Sequence, residues 1–265
     1  MTRGYVIVAE NTPATNYVRC AEALAASLKH TMPNCSVALL SNDTTNSPHF
    51  DFKIPIKQQF AIADPFKITN DIQAYELSPY DQTIKLEADM FIPGSIDYWW
   101  DVLAQHDMVV SSTIRDFKGQ ISSCRVYRRF IDDNALPDVY NAITYFKKSG
   151  TAEKFYQVVN EILKNWPAFR ATMKCNPTEE ASTDWVYALA CHIVGVEKTT
   201  LPTFTDMCMT HMKQFVNGLP TENWTDVLLH EFPKNNFRVN TYTQKYPFHY
   251  HVKTFSDIIL ERQHD

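Results

Sequence analysis

The sequence predicts an α/β fold: a single α/β/α domain with a mostly parallel central sheet and an irregular C-terminal segment. The N-terminal segment alternates strand, helix and strand, and this βαβ order predicts parallel pairing. Short apolar, β-branched runs then alternate with amphipathic helical segments along most of the 265 residues. No internal repeat, low-complexity segment or obvious linker interrupts this alternation, so we expect one domain.

The N-terminal βαβ unit is the clearest local pattern. Residues 5–9, YVIVA, form a short, continuous and β-branched run, which is typical of a buried parallel strand. Residues 36–43, SVALLSND, form a second such run that ends in turn residues. Between the two runs, apolar side chains recur at helical spacing, at Val18, Ala21, Leu24, Ala25 and Leu28. This order predicts a parallel pair of strands covered by the helix.

The later segments alternate in the same manner. We predict a helix over 65–77, a strand through TIKLE, a buried strand at 107–112, and a strand over 140–150 that runs into a turn. Two helices follow: TAEKFYQVVNEILKNW, with one apolar face, and STDWVYALACHIV, with Ser182 or Thr183 as its N-cap. After about residue 200 the pattern decays into aromatic- and proline-rich irregular sequence.

Composition excludes several classes of function. The net charge of −5 gives no overall basic field that would gather nucleic acid or anionic membrane. No apolar run approaches the ~20 residues that cross a bilayer, and the N-terminus lacks the features of a secretory signal. The six cysteines are scattered without a CxxC pair, so we expect a cytoplasmic protein without a disulfide framework. With six glycines and no GxGxxG or GxxxxGK[ST], a Rossmann fingerprint and a Walker-type loop are both excluded.

Two carboxylates end the strand in TIKLEADMFIPG. Glu87 and Asp89 have their side chains on the same side of a strand-like backbone, because Ala88 separates them. At the carboxyl end of a parallel strand they face the crevice where α/β sheets bind ligands. Two close carboxylates repel each other unless a cation neutralises them, and Mg²⁺ or Mn²⁺ suits oxygen ligands. A metal site is therefore the functional interpretation, and a solvated acidic turn is the alternative.

The segment YELSPYDQTIKLEADMFIPGSID resembles the DxD-bearing segment of GT-A glycosyltransferases, especially the glycogenin-like and galactosyltransferase-like sugar-nucleotide enzymes. GYVIVAENTPATNYVRCAEALAASLK is similar to their opening strand and first helix. YNAITYFKKS is similar to their Asn-x-Gly strand, STDWVYALA to their Asp-Gln helix, and FHYHVK to the segment of their late metal-binding histidine. The matches follow the family order over most of the chain, although Glu87 replaces the first aspartate and Ile143 the glycine.

The resemblance implies a GT-A-like metal-dependent glycosyltransferase that moves a sugar from a nucleoside-diphosphate sugar, a UDP-sugar, to a hydroxyl acceptor. Residues 1–112 would form the nucleotide-sugar-binding half, and 113–265 the acceptor-side half with the C-terminal segment. Mn²⁺ or Mg²⁺ would be held by Glu87, Asp89, and one of His249 and His251. We expect these two histidines, in an extended run, to face opposite ways. The remaining implied donor-site residues are Ala9, Asn11, Lys67, Asn141, Asp184, Lys213 and Lys253, with Glu87 also facing the donor.

The acceptor is predicted from a basic segment, STIRDFKGQISSCRVYRRF. Its cations would hold a phosphate-bearing acceptor: Arg115, Lys118, Arg125, Arg128 and Arg129. DNA carrying hydroxymethylated bases, as in phage base-glycosylating enzymes, is one alternative acceptor. A nucleotidyltransferase and a non-catalytic nucleotide-sugar-binding module are two rival interpretations of the whole chain. Retention of stereochemistry follows from the resemblance, whereas an inverting enzyme would need a carboxylate base, for which Asp184 is the candidate.

Overall fold

A computed structural model of the chain describes residues 1–57, 68–122, 128–174, 180–201, 207–233 and 236–262. The strands in these ranges are β1 (Arg3–Val8), β2 (Val37–Leu40), β3 (Phe52–Ile54), β4 (Gln82–Glu87), β5 (Met90–Phe91), β6 (Met108–Ser111), β7 (Ile114–Arg115), β8 (Tyr140–Lys147), β9 (Met209–His211), β10 (His230–Glu231), β11 (Arg238–Val239), β12 (Tyr242–Thr243) and β13 (Phe248–His249). The helices are α1 (Tyr17–Thr31), α2 (Ile68–Asp71), α3 (Gln73–Leu77), α4 (Trp99–Leu103), α5 (Arg129–Asp133), α6 (Gly150–Lys164), α7 (Trp166–Thr172), α8 (Thr183–Val194), α9 (Val196–Thr199), α10 (Gln214–Asn217) and α11 (Phe255–Glu261).

The central sheet has the strand order β3-β2-β1-β4-β8-β6 in the described part of the chain. The first four strands are mutually parallel, and β8 runs antiparallel to both of its neighbours, β4 and β6. The predicted mostly parallel α/β fold is therefore confirmed. The parallel strands bring the carboxyl ends of β1 and β4 to one edge, where Val8 lies opposite Glu87.

Helices cover both faces of this sheet, and β1 shows how the sequence directs them. Tyr5 and Ile7 point to the face covered by α1 and α4, whereas Val6 points to the face covered by α6 and α8. Successive strand residues face opposite ways, so a strand buried on both faces is a continuous apolar run instead of an alternating one. Burial on both faces therefore explains the continuous apolar run YVIVA, from which a buried strand was predicted.

The helices largely follow the predicted segments. Ser182 is the N-cap residue of α8, and the apolar face of α6 is buried against the sheet. The helix predicted over 65–77 is instead two short helices, α2 and α3, within its described part. None of the helices in the described ranges is both long and apolar enough to cross a bilayer.

The C-terminal segment is more regular than predicted. A second sheet has the order β5-β13-β9-β7, and a third, antiparallel sheet contains β10, β11 and β12. These strands are two or three residues long, so they leave no periodicity to read in the sequence. Their core is aromatic, with Trp224, Phe237, Phe248 and Phe255 among its buried members. Helix α11 packs this segment onto α1.

Candidate active site

Glu87 and Asp89 lie where the central sheet meets the second sheet. Glu87 is the last residue of β4, and Asp89 immediately precedes β5. The amide of Tyr250 donates to the backbone oxygen of Asp89 at 3.1 Å, which joins β13 to this turn. The Asp89 side chain is buried, whereas that of Glu87 is partly exposed. Both carboxylates therefore face the crevice at the carboxyl end of a parallel strand, as the sequence predicted.

His249 lies beside both carboxylates. Its Nε2 is 3.2 Å from a Glu87 oxygen and 3.2 Å from Asp89 Oδ2. One ligand atom from each of the three residues lies within 4.8 Å of the others. Within the described residues, His249 Nδ1 is buried and has no hydrogen-bond partner. Two carboxylates and an imidazole form a donor set that fits Mn²⁺ or a similar divalent ion.

Charges and burial perturb the acid pair in opposite directions. Burial raises the pKa of Glu87, against the opposing effects of His249 and Lys85. Burial alone would also raise the pKa of Asp89, but His249 and Lys253 hold that pKa well below its usual range. Asp89 is therefore the carboxylate most firmly held in its charged form, the form that binds a cation.

The expectation that His249 and His251 face opposite ways was wrong. Side chains two positions apart in an extended strand share a face. In addition, β13 ends at His249, and His251 has a left-handed backbone with φ of 57°. Its ring stacks on that of His249, with centroids 3.8 Å apart, and its Nδ1 lies 4.0 Å from Asp89 Oδ2. Both histidines are thus brought to the acid pair.

His211 is a third histidine here, and the sequence analysis missed it. Strand β9 pairs parallel with β13, and His211 lies opposite His249. His211 Nδ1 is 3.4 Å from His251 Nε2. Burial and the neighbouring His251 hold the pKa of His211 well below its usual range. A signal was present in THMKQ, because His211 lies two positions before Lys213, which was already a candidate.

The two candidate lysines are both at the site. Lys253 Nζ contacts Asp89 Oδ2 and lies 5.5 Å from the centroid of the Tyr17 ring. Burial lowers the pKa of Lys253, but the Asp89 carboxylate outweighs this effect and raises it. Lys213 lines the same cleft, immediately before α10. Lys253 is therefore in contact with the acid pair, and Lys213 lines the same cleft.

Asn141 and Asp184 are hydrogen-bonded to each other. The backbone amide of Asn141 donates to Asp184 Oδ1 at 3.0 Å, and Arg128 Nη1 donates to Asp184 Oδ2 at 2.7 Å. The Asn141 side chain donates to Asp71 Oδ2 at 2.8 Å. Strand β8 and the first turn of α8 thus supply a fixed pair of polar groups that line the cleft.

A buried ion pair beneath the cleft was also missed from the sequence. Lys85 is 1% exposed, and its Nζ lies 2.5 Å from Asp71 Oδ1. Tyr187 donates its hydroxyl to Asp71 Oδ2 at 3.1 Å, and Lys85 donates to the backbone oxygen of Asn141 at 3.3 Å. A lysine in the middle of the apolar run TIKLE could have predicted this pair, because buried lysines need an acidic partner.

The loop after β1 borders the cleft. Ala9 lines it. Asn11 fixes the position of the loop with two hydrogen bonds. Its backbone amide donates to Asp43 at 2.6 Å, and its side-chain oxygen accepts from the Val18 amide at 3.0 Å. Lys67, the remaining candidate from this half, lies outside the described residues.

Arg128 was predicted to contact the acceptor from an exposed segment, and this prediction was wrong. The Arg128 side chain is 2% exposed. It donates to Asp138, Asp184 and the backbone oxygen of Val139 at 2.7–2.8 Å, and its guanidinium lies 4.2 Å from the Tyr140 ring centroid. Burial lowers the pKa of Arg128, but Asp184 and Tyr140 raise it overall. Arg128 therefore positions Asp184 from beneath.

The other cations of the basic segment have different surroundings within the described residues. Arg115 Nη1 donates to the Gly119 backbone oxygen at 2.9 Å, and its guanidinium lies 4.7 Å from the Tyr246 ring centroid. Arg129 is exposed and pairs with Asp133 one helical turn away. Lys118 is exposed in a turn, and Arg125 lies outside the described residues. A polyanionic acceptor such as DNA is not favoured by this arrangement.

These groups surround a cleft of about 350 Å³, within the range of small-ligand sites. It is lined by the loop after β1, the acid pair, β8, the start of α8, and histidine and lysine side chains of the C-terminal segment.

No family model matches the sequence, and no curated protein matches it. Solved structures do match the fold. The apo form of the glycosyltransferase GlyE from Streptococcus pneumoniae TIGR4 matches with a TM-score of 0.52 and 12% identity, over 99% of this chain and 60% of the GlyE chain. The galactosyltransferase LgtC, in complex with donor and acceptor sugar analogues, matches with a TM-score of 0.48 and 11% identity over 74% of this chain and 72% of its own. Mouse xyloside xylosyltransferase 1 matches with a TM-score of 0.46 and 8% identity, over 76% of this chain and 85% of its own.

The GlyE match extends over nearly all of this chain, although the chain spans only 60% of the length of GlyE. Fold similarity at this identity concerns the backbone arrangement alone. The predicted GT-A-like fold is confirmed.

Proposed function

Starting from this GT-A-like fold, we propose that the protein is a metal-dependent glycosyltransferase. It would move a sugar from a nucleoside-diphosphate sugar, with UDP as the nucleotide, to a hydroxyl acceptor. The convergence of Glu87, Asp89 and His249 at the carboxyl end of β4 carries this proposal. Ligands of α/β sheets bind at this edge, and the donor set suits a divalent ion.

Glu87, Asp89 and His249 would hold the ion. When bound, such an ion neutralises the charge that develops on a departing diphosphate. The protein's own cations would add to this neutralisation, since Lys253 contacts Asp89 and Lys213 lines the same cleft. An ammonium at hydrogen-bond distance stabilises a phosphate oxygen electrostatically and fixes its position. The diphosphate would therefore lie beside the acid pair, within reach of these lysines.

Asn141 and Asp184 would orient the donor sugar. Both Asp184 oxygens accept hydrogen bonds, one from Arg128 and one from the Asn141 amide. These bonds fix the carboxylate plane at the cleft wall, so that a sugar hydroxyl could donate to it in one orientation. This arrangement favours a positioning role over that of a general base, which must reach the proton of the acceptor hydroxyl. Retention of stereochemistry is therefore the outcome we propose.

The experiment is a paired binding and turnover measurement. A thermal-shift screen of nucleotide sugars with and without Mn²⁺ would identify the donor, because a ligand that binds the native state raises the melting temperature. Release of UDP from that donor would then measure turnover. We expect Asp89→Asn to abolish Mn²⁺-dependent donor binding and UDP release, because Asp89 would supply an anionic ligand to the ion.

Asp101→Asn is the matched control, because Asp101 is exposed on α4. This variant should bind and turn over the donor like the unmodified protein. Both variants should have unchanged circular dichroism. Mn²⁺-dependent donor binding that survives in Asp89→Asn would overturn the proposed metal site.

A further inference from the structure

Lys85 is a charged residue in the middle of β4, a strand that lies between β1 and β8 in the central sheet. Its neighbours Ile84 and Leu86 belong to the core on the α1 side of the sheet. Successive strand residues face opposite ways, so Lys85 points to the face covered by α6 and α8. Its partner there is Asp71, the last residue of α2. We call these two residues the Lys85–Asp71 pair.

Stability alone does not account for the Lys85–Asp71 pair. The Lys85 side chain is 1% exposed and that of Asp71 is 13% exposed, so water does little to solvate either charge. Removing two charges from water often costs as much as their attraction returns, and apolar side chains of similar volume are often at least as stable. An explanation for the pair therefore lies in its hydrogen bonds to other residues.

Both members of the pair bond to Asn141. Asp71 Oδ2 accepts from Asn141 Nδ2 at 2.8 Å, and Lys85 Nζ donates to the backbone oxygen of Asn141 at 3.3 Å. A carboxylate can only accept, so the NH₂ end of the Asn141 amide must face Asp71. The Oδ1 end accepts from the Thr144 hydroxyl at 3.4 Å. The pair therefore fixes the backbone of Asn141 and keeps its amide from flipping, at a residue that lines the cleft.

We propose that the Lys85–Asp71 pair positions Asn141 for the donor sugar. This positioning role rests on the proposed function, in which Asn141 orients that sugar. The pair acts through Asn141, because both Asp71 oxygens are already engaged, Oδ1 by Lys85 and Oδ2 by Asn141 and Tyr187. A polar group that is held in one orientation before binding loses less freedom when the ligand arrives. The pair should therefore affect recognition of the sugar and leave recognition of the nucleotide unchanged.

The test replaces the pair with apolar side chains and compares two kinds of ligand. Lys85→Met combined with Asp71→Leu removes both charges, so neither partner is left as an uncompensated charge. The ligands, titrated with Mn²⁺, are UDP and the tightest-binding of UDP-glucose, UDP-galactose, UDP-xylose and UDP-N-acetylglucosamine. We expect unchanged affinity for UDP and about three- to tenfold weaker binding of the UDP-sugar, the value of one hydrogen bond. The kcat for UDP release should also fall.

A cycle with Asn141→Ala shows whether the pair acts through Asn141. In the Asn141→Ala background, the apolar replacement should cause no further loss of UDP-sugar affinity, because the group that the pair positions is already absent. A further loss of similar size would mean that the pair contacts the sugar independently of Asn141, and it would overturn the inference.

Tyr187→Phe is the matched control. It removes another hydrogen bond to Asp71 Oδ2 and leaves Asn141 and Lys85 in place. It should lower the melting temperature without changing the affinity for the UDP-sugar relative to UDP. If the apolar replacement does not fold, Lys85→Met with Asp71→Asn gives the same comparison, because an asparagine side chain can donate or accept and no longer fixes the Asn141 amide.

Two negative results are distinguishable. If the unmodified protein binds none of the four UDP-sugars, the proposed function and this inference are overturned together. If it binds one of them, and a folded variant of the pair binds it with the same affinity and kcat, the Lys85–Asp71 pair serves the fold alone. That result would overturn the inference and leave the proposed function standing.

Discussion

Arg128 and Arg129 are adjacent arginines in opposite environments, and this contrast gives a quantitative prediction. Arg128 is 2% exposed and joins two carboxylates and a backbone oxygen, whereas Arg129 is 77% exposed and pairs with Asp133. We compare Arg128→Ala with Arg129→Ala. The two variants remove the same side chain one position apart, so any difference in the free energy of unfolding measures the environment.

The expected cost of Arg128→Ala follows from the groups left behind. Breaking a buried ion pair by removing one partner costs about 3–5 kcal/mol. The side chains of Asp138 and Asp184 are 30% and 28% exposed and can recover some water, which favours the lower end, about 3 kcal/mol. An exposed pair one helical turn apart contributes only about 0.3–0.5 kcal/mol, so Arg129→Ala should be close to neutral.

Urea denaturation followed by circular dichroism measures both values. With a slope of about 3 kcal/mol per molar urea, Arg128→Ala should lower the midpoint by about 1 M. The melting temperature should fall by roughly 6–12 °C, because 1 kcal/mol of lost stability corresponds to about 2–4 °C for a chain near this size. If the free energies of unfolding of the two variants differ by less than about 1 kcal/mol, Arg128 does not act as a buried partner of Asp184. The prediction that Arg128 lies at an acceptor-binding surface would then have to be reconsidered.

Two further predictions concern lysines that are paired with carboxylates. Lys253→Gln should strengthen metal binding by the nucleotide-free protein, because the ammonium that neutralises Asp89 is removed. The same variant should weaken donor binding. Calorimetric titration with each ligand measures both affinities, and weaker metal binding would contradict the reasoning. Lys85→Met should lower the free energy of unfolding by about 3 kcal/mol, because it leaves Asp71 without its cation. In urea denaturation, adding Asp71→Asn should restore part of this loss. If the effects of the two substitutions on the free energy of unfolding simply add, Lys85 and Asp71 are not coupled.

The sequence predicted the central sheet well because its elements have local patterns. The β-branched run of β1 and the apolar face of α6 each leave a periodicity that is set by burial. The acid pair was predicted for a related reason, because two carboxylates at the end of an apolar strand are unusual without a partner. Local sequence patterns were therefore enough to predict the central sheet and the acid pair.

The rest of the site depends on contacts that are distant in sequence. His211 meets His249 through the pairing of two strands that are only two or three residues long. Such strands show no alternation, so neither the pairing nor the contact between these histidines could be predicted. The left-handed φ of His251 likewise left no signal, because the residue is not glycine.

Arg128 shows the opposite failure. Five cations close together in sequence suggested a surface, but Arg128 is buried by carboxylates from other elements. Sequence proximity reports the charge of a segment and says nothing about which side chain the fold turns inward.

The contact between Asp89 and Lys253 joins residues that are 164 positions apart. Closing so long a loop costs chain entropy before any contact rewards it, so contacts of this kind slow folding. The acid pair belongs to the end of β4, whereas Lys253 and the strands β9 and β13 belong to the C-terminal segment. A ligand that bridges the two would hold the docked arrangement and slow its opening. Hydrogen exchange in β9 and β13 would then report ligand binding as a delay in local unfolding of the segment that supplies the histidines.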